Sequence, residues 1–165
     1  MIDIQFLADC PEVIPAIACL HQIEMKLGSR SNFQRTVKEF QNHVNRNTLP
    51  LTLVAFVNTI PIGSVSLVEF ELKSHTHLSP WVSSLFVASA YQNRGIGKCL
   101  MEKIVAIGSE IGCHQLHLYT PVSDYFAKSG WTVIDKAQPE EYPQSVEILV
   151  MQKKIVNTVI VRNFL

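Results

Sequence analysis

A short glycine-rich segment near the middle of the chain has the residue types of an anion-binding site. Between Gln92 and Lys98, Gly95 and Gly97 let the backbone turn closely, so that several main-chain NH groups converge on one point. The helical pattern that follows adds the positive end of a helix dipole, worth roughly 0.3 to 1 kcal/mol per charge. Arg94 and Lys98 add mobile positive charge. The segment therefore predicts a turn that binds phosphate.

Other glycine-rich phosphate loops differ from this segment in spacing. A Walker loop requires GxxxxGK[ST], whereas here one residue separates the glycines and Cys99 follows Lys98. A dinucleotide fingerprint requires GxGxxG, and no third glycine follows Gly95 and Gly97 at that spacing. A plain turn whose glycines only cap a helix stays open on these residues alone.

Histidine and cysteine pairs elsewhere have only weak metal-site spacing. His75-x-His77 lies in a polar loop, and Cys113-His114-x-x-His117 passes from a helix end into a strand. Neither has a CxxC or HExxH partner, so we predict no metal site. The four cysteines show no CxxC pairing, and we interpret them as buried free thiols rather than as a disulfide framework.

Strands and helices must position the glycine-rich segment. Alternating apolar residues at 2–6 predict a first strand, and apolar residues at helical spacing then predict two helices. A capping box of Ser31 and Gln34 begins the second helix. Runs of β-branched and aromatic residues at 51–57 and 60–70 predict a hairpin.

The second half of the chain alternates between strand and helix patterns. The run WVSSLFV at 81–87 predicts a strand before the glycines, and the apolar face from Ile96 to Ile111 predicts a helix that Gly112 ends. The later elements are predicted as a strand at 115–120, a helix at 121–128 and strands at 131–136 and 146–155. This order predicts an α/β domain, with a mixed sheet covered by helices on both faces.

Composition and charge indicate one soluble globular domain. The 165 residues are 47% apolar and 17% charged, which is sufficient for a core and excludes disorder, coiled coil and collagen. Fourteen basic and fourteen acidic residues leave a formal charge of +0, so bulk charge does not favour nucleic acid or an anionic membrane as partner. No signal peptide and no apolar run of about 18 residues is present, so we expect a cytoplasmic protein.

Residues 92–97 (QNRGIG) resemble the [RQ]-x-x-G-x-[GA] signature of the GNAT superfamily of acyl-CoA-dependent N-acyltransferases. The strand and helix patterns on either side are also similar to that family. Residues 125–131 (YFAKSGW) are similar to its FYxxxGF segment. The resemblance implies a single GNAT-like domain over residues 1–155, with a central, mostly antiparallel sheet. It leaves 156–165 as an apolar tail with no counterpart.

The resemblance implies acetyl-CoA as co-substrate, no metal, and an amine of a small molecule or peptide as acceptor. We expect the diphosphate on main-chain NH groups, and the pantetheine arm alongside strand 81–87 like an added strand. The thioester is then expected where strands 81–87 and 115–120 separate, with a main-chain amide polarising its carbonyl. The expected cofactor-binding residues are Leu85, Phe86, Val87, Gln92, Asn93, Arg94, Gly95, Ile96, Gly97 and Lys98.

Acyl transfer to an amine needs a base more than an acid. Removing a proton from an alkylammonium of pKa about 10.4 costs roughly 4.6 kcal/mol near pH 7, whereas expelling a thiolate of pKa about 8.5 costs roughly 2 kcal/mol. We expect Glu69, in register with Val65 and Leu67, to be buried near the site and to take up the proton. The alternative is a surface role for Glu69, like that of Glu71. Glu24 is either a substrate-orienting carboxylate or a solvated helix residue.

The expected acid departs from the family spacing. The resemblance places a proton-donating tyrosine five residues before the final aromatic, Trp131, and Phe126 occupies that position. Tyr125 is therefore the candidate catalytic acid, and a packing or surface role is the alternative. A GNAT-like domain that binds acyl-CoA without efficient catalysis is the rival function. The acceptor and the oligomeric state stay open on the sequence alone, and a homodimer is compatible with it.

Overall fold

The computed structural model describes residues 1–26 and 32–156. Its strands and helices occur in the order that the sequence predicts. The strands are β1 (Ile2–Phe6), β2 (Leu51–Val57), β3 (Ile60–Val68), β4 (Trp81–Val87), β5 (Gln115–Thr120), β6 (Thr132–Ala137) and β7 (Ile148–Lys154). The α-helices are α1 (Ile14–Glu24), α2 (Phe33–Asn42), α3 (Ile96–Glu110) and α4 (Ser123–Ala127).

The seven strands form one sheet in the order β1-β2-β3-β4-β5-β7-β6. Neighbouring strands are antiparallel except β4 and β5, which run parallel. This mixed, mostly antiparallel sheet confirms the predicted fold class. Trp81 of β4 pairs with His117 of β5, and no other pair joins these strands in the described part of the chain. The two strands therefore separate toward their carboxyl ends.

Alternate residues of β2 pack on opposite faces of the sheet, which explains the continuous apolar run of this strand. Leu53 and Ala55 belong to the core on the α3 side. Val54 and Phe56 belong to the core on the side of α1 and α2. Helices therefore cover both faces, as predicted. The apolar stripe of α3 is buried at Ile96, Leu100, Ile104 and Ile107.

Local chemistry explains how α2 begins and how α3 ends. The side-chain oxygen of Asn32 accepts a hydrogen bond from the main-chain NH of Gln34 at 2.9 Å, so Asn32 caps α2. The expected capping residue Ser31 lies outside the described residues. After α3, Gly112 adopts a φ of 89°, in agreement with its predicted role in ending this helix.

Two sequence predictions are contradicted by the structure. β3 ends at Val68, so Glu69 follows the strand instead of belonging to it. Cys19 and Cys99 are exposed, which makes the prediction of burial wrong for these two free thiols; the buried stripe of α3 leaves Cys99 on the solvent side. Of the predicted tail, residues 157–165 lie outside the described residues. Within the described ranges, no helix is both long enough and apolar enough to cross a bilayer.

Candidate functional site

The separation of β4 from β5 opens a cleft of about 1440 Å³. Its walls are the diverging strands, the ends of α1 and α2, helix α4, the segment after β3 and the turn at 139–142. Six of the expected site residues line this cleft: Glu69, Leu85, Phe86, Val87, Gln92 and Tyr125. The parallel pair that splays apart thus brings residues from both halves of the chain together.

A bulge in β4 shapes one wall of the cleft. The β3–β4 register shifts between Ser64 and Ser66, and Ser84 on β4 has a φ of 51°. The Ser64 hydroxyl donates to the Ser84 carbonyl at 3.2 Å. Gly63 is required nearby, because a Cβ there would lie 2.5 Å from the carbonyl oxygen of Phe86. Beyond Trp81, the β5-facing edge of β4 has no paired strand, so apart from the Val87 carbonyl, which accepts a hydrogen bond from Gln92, this edge is open to a peptide-like ligand.

The segment 93–98 presents a series of main-chain NH groups at the amino end of α3. In the hydrogen bonds of the described residues, none of these NH groups donates to a protein acceptor. The series is bounded by Gln92, whose NH donates to the Ser89 carbonyl at 3.4 Å, and by Cys99. Left-handed φ angles at Asn93 (60°) and Gly95 (80°) turn neighbouring NH groups toward one side. With the dipole of α3, this is an anion-binding geometry.

Glu24, at the end of α1, fastens the loop that leads into this segment. Its carboxylate accepts hydrogen bonds from the NH and the hydroxyl of Ser89, at 2.9 and 2.8 Å. Gln92 Nε2 lies 3.5 Å from the same carboxylate and donates to the Val87 carbonyl at 2.8 Å. Sequence reasoning missed this contact because its partners are 65 residues apart.

Tyr125 places its hydroxyl beside the start of α3. A Cβ built at Gly97 would lie 3.6 Å from the Tyr125 hydroxyl and 4.0 Å from a methyl group of Val87. The residue is 50% exposed and lines the cleft, whereas Phe126 is buried and packs edge-on against Trp131. The neighbour of the expected tyrosine position therefore faces the cleft, and its catalytic role stays a prediction.

Glu69 lies in the cleft wall but is exposed, so the expectation that it is buried is wrong. The cause is the early end of β3 at Val68. Glu71, two residues further, also lines the cleft, and its carboxylate accepts a hydrogen bond from the Ser83 hydroxyl at 2.8 Å. Loss of solvation between the cleft walls raises the pKa of Glu71, and the nearby carboxylates of Glu141 and Glu39 raise it further, against a lowering by the Ser83 bond.

Glu141 brings a further carboxylate to the cleft from the turn at 139–142. It accepts a hydrogen bond from the Tyr119 hydroxyl at 2.7 Å. Desolvation, this hydrogen bond and the surrounding carboxylates hold the pKa of Tyr119 far above its usual range. The Tyr119 hydroxyl is therefore committed to Glu141. No sequence motif indicated Glu141, because its proximity to Tyr119 and Glu71 arises from the tertiary fold.

Two histidines in the cleft wall are neutral at pH 7. Burial lowers the pKa of His21, which lies edge-on to Phe40 and Phe86. Burial lowers the pKa of His43 to about 4, and His43 Nδ1 lies 3.0 Å from the Thr52 hydroxyl. Neither imidazole therefore offsets the negative charge of the glutamates.

The residues of the weak histidine motif have structural contacts. His75 lies 2.8 Å from the Ser74 hydroxyl through Nδ1, and 3.1 Å from the Asp135 carboxylate through Nε2. In the part of the chain that the structure describes, no three His, Cys, Asp or Glu residues are grouped to hold a metal ion.

Comparison with known proteins identifies relatives of this chain. Residues 17–131 match the model of the acetyltransferase (GNAT) family. An uncharacterized N-acetyltransferase of Chlorobaculum tepidum, CT2212, is 35% identical over 65 residues, which cover 39% of this chain and 40% of the relative. The match therefore spans less than half the length of that curated relative.

Solved structures share the fold over almost the entire chain. A GNAT-family acetyltransferase of Streptococcus pneumoniae has a TM-score of 0.71 at 17% identity, covering 94% of this chain and 100% of its own. The yncA protein of Salmonella typhimurium, solved with acetyl-CoA, has a TM-score of 0.68 at 14% identity, covering 93% of this chain and 94% of its own. At such identities the likeness shows the fold.

Proposed function

Since the chain belongs to the GNAT acetyltransferase family, we propose that it transfers an acetyl group from acetyl-CoA to a primary amine of a small-molecule or peptide acceptor. One observation carries this proposal: the NH groups of residues 93–98, which have no acceptor in the described part of the chain, follow directly after Gln92 of the cleft wall, and Gly97 among them lies beside Val87 of the unpaired β4 edge. The NH groups suit a diphosphate, and the strand edge suits a peptide-like arm. Acetyl-CoA has both features.

The residues present fit this cofactor, which supplies an acyl group activated as a thioester. The main-chain NH groups of Asn93 to Lys98 would hold the diphosphate. Because Gly97 has no side chain, the cofactor has room to approach the main-chain NH groups beside Tyr125. Main-chain groups of Leu85, Phe86 and Val87 on β4 would pair with the amides of the arm and polarise the acyl carbonyl.

In the proposed reaction the acceptor nitrogen forms a bond to the acyl carbon, and the carbon–sulfur bond breaks. Glu69 takes the first proton from the acceptor ammonium, directly or through water, which makes the nitrogen nucleophilic. The Tyr125 hydroxyl donates one proton to the departing sulfur, and the second proton of the nitrogen, which leaves as the amide forms, restores this hydroxyl through water. The proton on Glu69 is then released to solvent. The products are the acetylated amine and free CoA, with one net proton released.

Glu71 is a second candidate for the base. Its raised pKa favours uptake of a proton near neutral pH, and its hydrogen bond to Ser83 places it against β4. Glu69 and Glu71 are both exposed in the same wall. Separate glutamine variants of the two residues distinguish them.

The binding-only alternative depended on Phe126 in the usual tyrosine position. The location of the Tyr125 hydroxyl beside Gly97 supplies a proton donor at the expected end of the cleft. This position supports catalysis over binding alone.

Two measurements test the proposal. Calorimetry is expected to show acetyl-CoA binding that Gly97→Trp weakens by about a hundredfold or more, since the indole fills the approach to the NH groups. Ala106→Trp, on an exposed position of the same helix, is the matched control and is expected to bind normally. Acetyl-CoA-dependent thiol release is then measured with a panel of amines. Normal binding to Gly97→Trp would contradict the cofactor site, and binding without thiol release across the panel would contradict the enzyme.

A further inference from the structure

Two carboxylates, those of Glu71 and Glu141, lie near each other in the cleft, and Glu69 lines the same cleft. Glu69 and Glu71 follow β3, and Glu141 comes from the turn at 139–142. The charge of Glu141 raises the pKa of Glu71, and the charges of both carboxylates raise the pKa of Tyr119. The fold therefore concentrates like charge in a partly desolvated space, an arrangement that an occupying cation relieves.

Positive residues of the cleft do not balance these carboxylates. Among the described lining residues, five glutamates face two cations, Lys26 and Arg35, a difference of three negative charges. Arg35 is already paired with Glu39 at 3.2 Å. Glu24 is engaged by Ser89.

Hydroxyl groups orient two of the carboxylates without neutralising them. The Ser83 hydroxyl donates to Oε1 of Glu71, and the Tyr119 hydroxyl donates to Oε1 of Glu141. No hydrogen bond of the described residues engages the second oxygen of either carboxylate. Both residues therefore offer a fixed acceptor oxygen to a ligand that donates hydrogen bonds.

We propose that the acceptor is a small amine with a second, non-reacting ammonium group, which Glu71 and Glu141 bind while the first amine reacts. The inference rests on the proposed function with Glu69 as the base. A monoamine gives up the positive charge of its single ammonium before attack, so it leaves Glu71 and Glu141 without a cation at the reacting step. An ammonium that keeps its protons retains both its charge and its three donors. The charged, non-reacting ammonium thus holds the acceptor in the cleft while the reacting nitrogen is deprotonated.

Equilibrium binding tests the proposal without requiring turnover. Calorimetry in the presence of CoA compares putrescine with butylamine, which has the same carbon chain and one amine fewer. Putrescine is expected to bind at least about tenfold more tightly, with an advantage that shrinks as salt is raised. Glu71→Gln and Glu141→Gln are each expected to remove most of this advantage, because they weaken putrescine binding more than butylamine binding.

Glu110→Gln removes one negative charge at an exposed position outside the cleft and serves as the control, for which the preference is expected to persist. Equal binding of the two amines, or a preference unaffected by both cleft variants, would overturn the inference. Thermal unfolding verifies that each glutamine variant is folded. Thiol release tests the proposed function separately, because an enzyme that acetylates monoamines and diamines alike retains the proposed function and loses only this inference.

Discussion

Tyr125 and Phe126 show how adjacent positions on one short helix acquire different surroundings. Consecutive helical residues point about 100° apart, so one side chain enters the core and the other faces the cleft. Phe126 packs against Trp131, and Tyr125 reaches toward Gly97. The offset from the family pattern therefore leaves a hydroxyl beside the start of α3.

Variants of the acid candidate and of the base candidate are expected to lower kcat/KM by different amounts. Glu69→Gln should lower kcat/KM by roughly a hundredfold or more, because removing the acceptor proton is the larger cost. Tyr125→Phe should lower it by no more than about thirtyfold, which corresponds to the roughly 2 kcal/mol of thiolate expulsion. Steady-state kinetics at saturating acetyl-CoA measures both. A larger effect of Tyr125→Phe would contradict these roles, and a larger effect of Glu71→Gln than of Glu69→Gln would assign the base to Glu71.

The parallel pair of β4 and β5 positions the site at the scale of secondary structure. The strands meet at Trp81 and His117 and then separate, while β4 continues antiparallel to β3 as far as Val87. Helix α3 starts shortly after β4, and Gly97 in its first turn lies beside a methyl group of Val87 on β4. Helix α1 contributes through Glu24, which holds the connecting loop at Ser89.

Glu24→Gln is expected to weaken acetyl-CoA binding by about fivefold to tenfold, because hydrogen bonds to a carboxylate are worth roughly 1.5 to 3 kcal/mol and glutamine keeps only part of them. The loop that leads into 93–98 then loses its anchor to α1. Calorimetry measures the change, and kcat at saturating acetyl-CoA should be nearly unaffected. Glu12→Gln, at an exposed site before α1, is the control. Unchanged affinity of Glu24→Gln would show that the loop is held by other contacts.

The whole molecule combines a balanced total charge with an uneven distribution of it. The formal net charge is +0, yet the described lining of the cleft has three more carboxylates than cations. Beneath α2, a buried polar chain joins His43 to the Thr52 hydroxyl, which lies 2.7 Å from the Ser66 hydroxyl. Both features depend on tertiary packing, and the second makes the stability of the entire fold sensitive to pH.

The free energy of unfolding is expected to fall as the pH is lowered from about 6.5 toward 4. Burial lowers the pKa of His43 from 6.5 to about 4, so in this window the unfolded chain binds a proton that the folded chain does not. At pH 5 the loss from this residue amounts to about 2 kcal/mol relative to pH 7. Urea unfolding should show a smaller loss for His43→Gln than for the unsubstituted protein. The exposed His114→Gln is the control, and equal losses in all three proteins would contradict the prediction.

The sequence alone determined the order of strands and helices, the mixed sheet and the segment around Gly95 and Gly97. Each of these depends on residues that are neighbours in the chain, so side-chain periodicity and glycine spacing are sufficient to predict them. A predicted strand end is wrong where the residue pattern continues past the strand. At the end of β3, Glu69 keeps the strand register but is exposed to solvent.

Only the tertiary structure decided which polar groups meet. Glu24 at Ser89 and Glu141 at Tyr119 join segments that are far apart in sequence. No local pattern specifies such contacts, since they arise from how helices and turns pack around a splayed strand pair. The acidic character of the cleft therefore follows from packing, because charges distributed evenly along the chain are brought into one partly desolvated space by the fold.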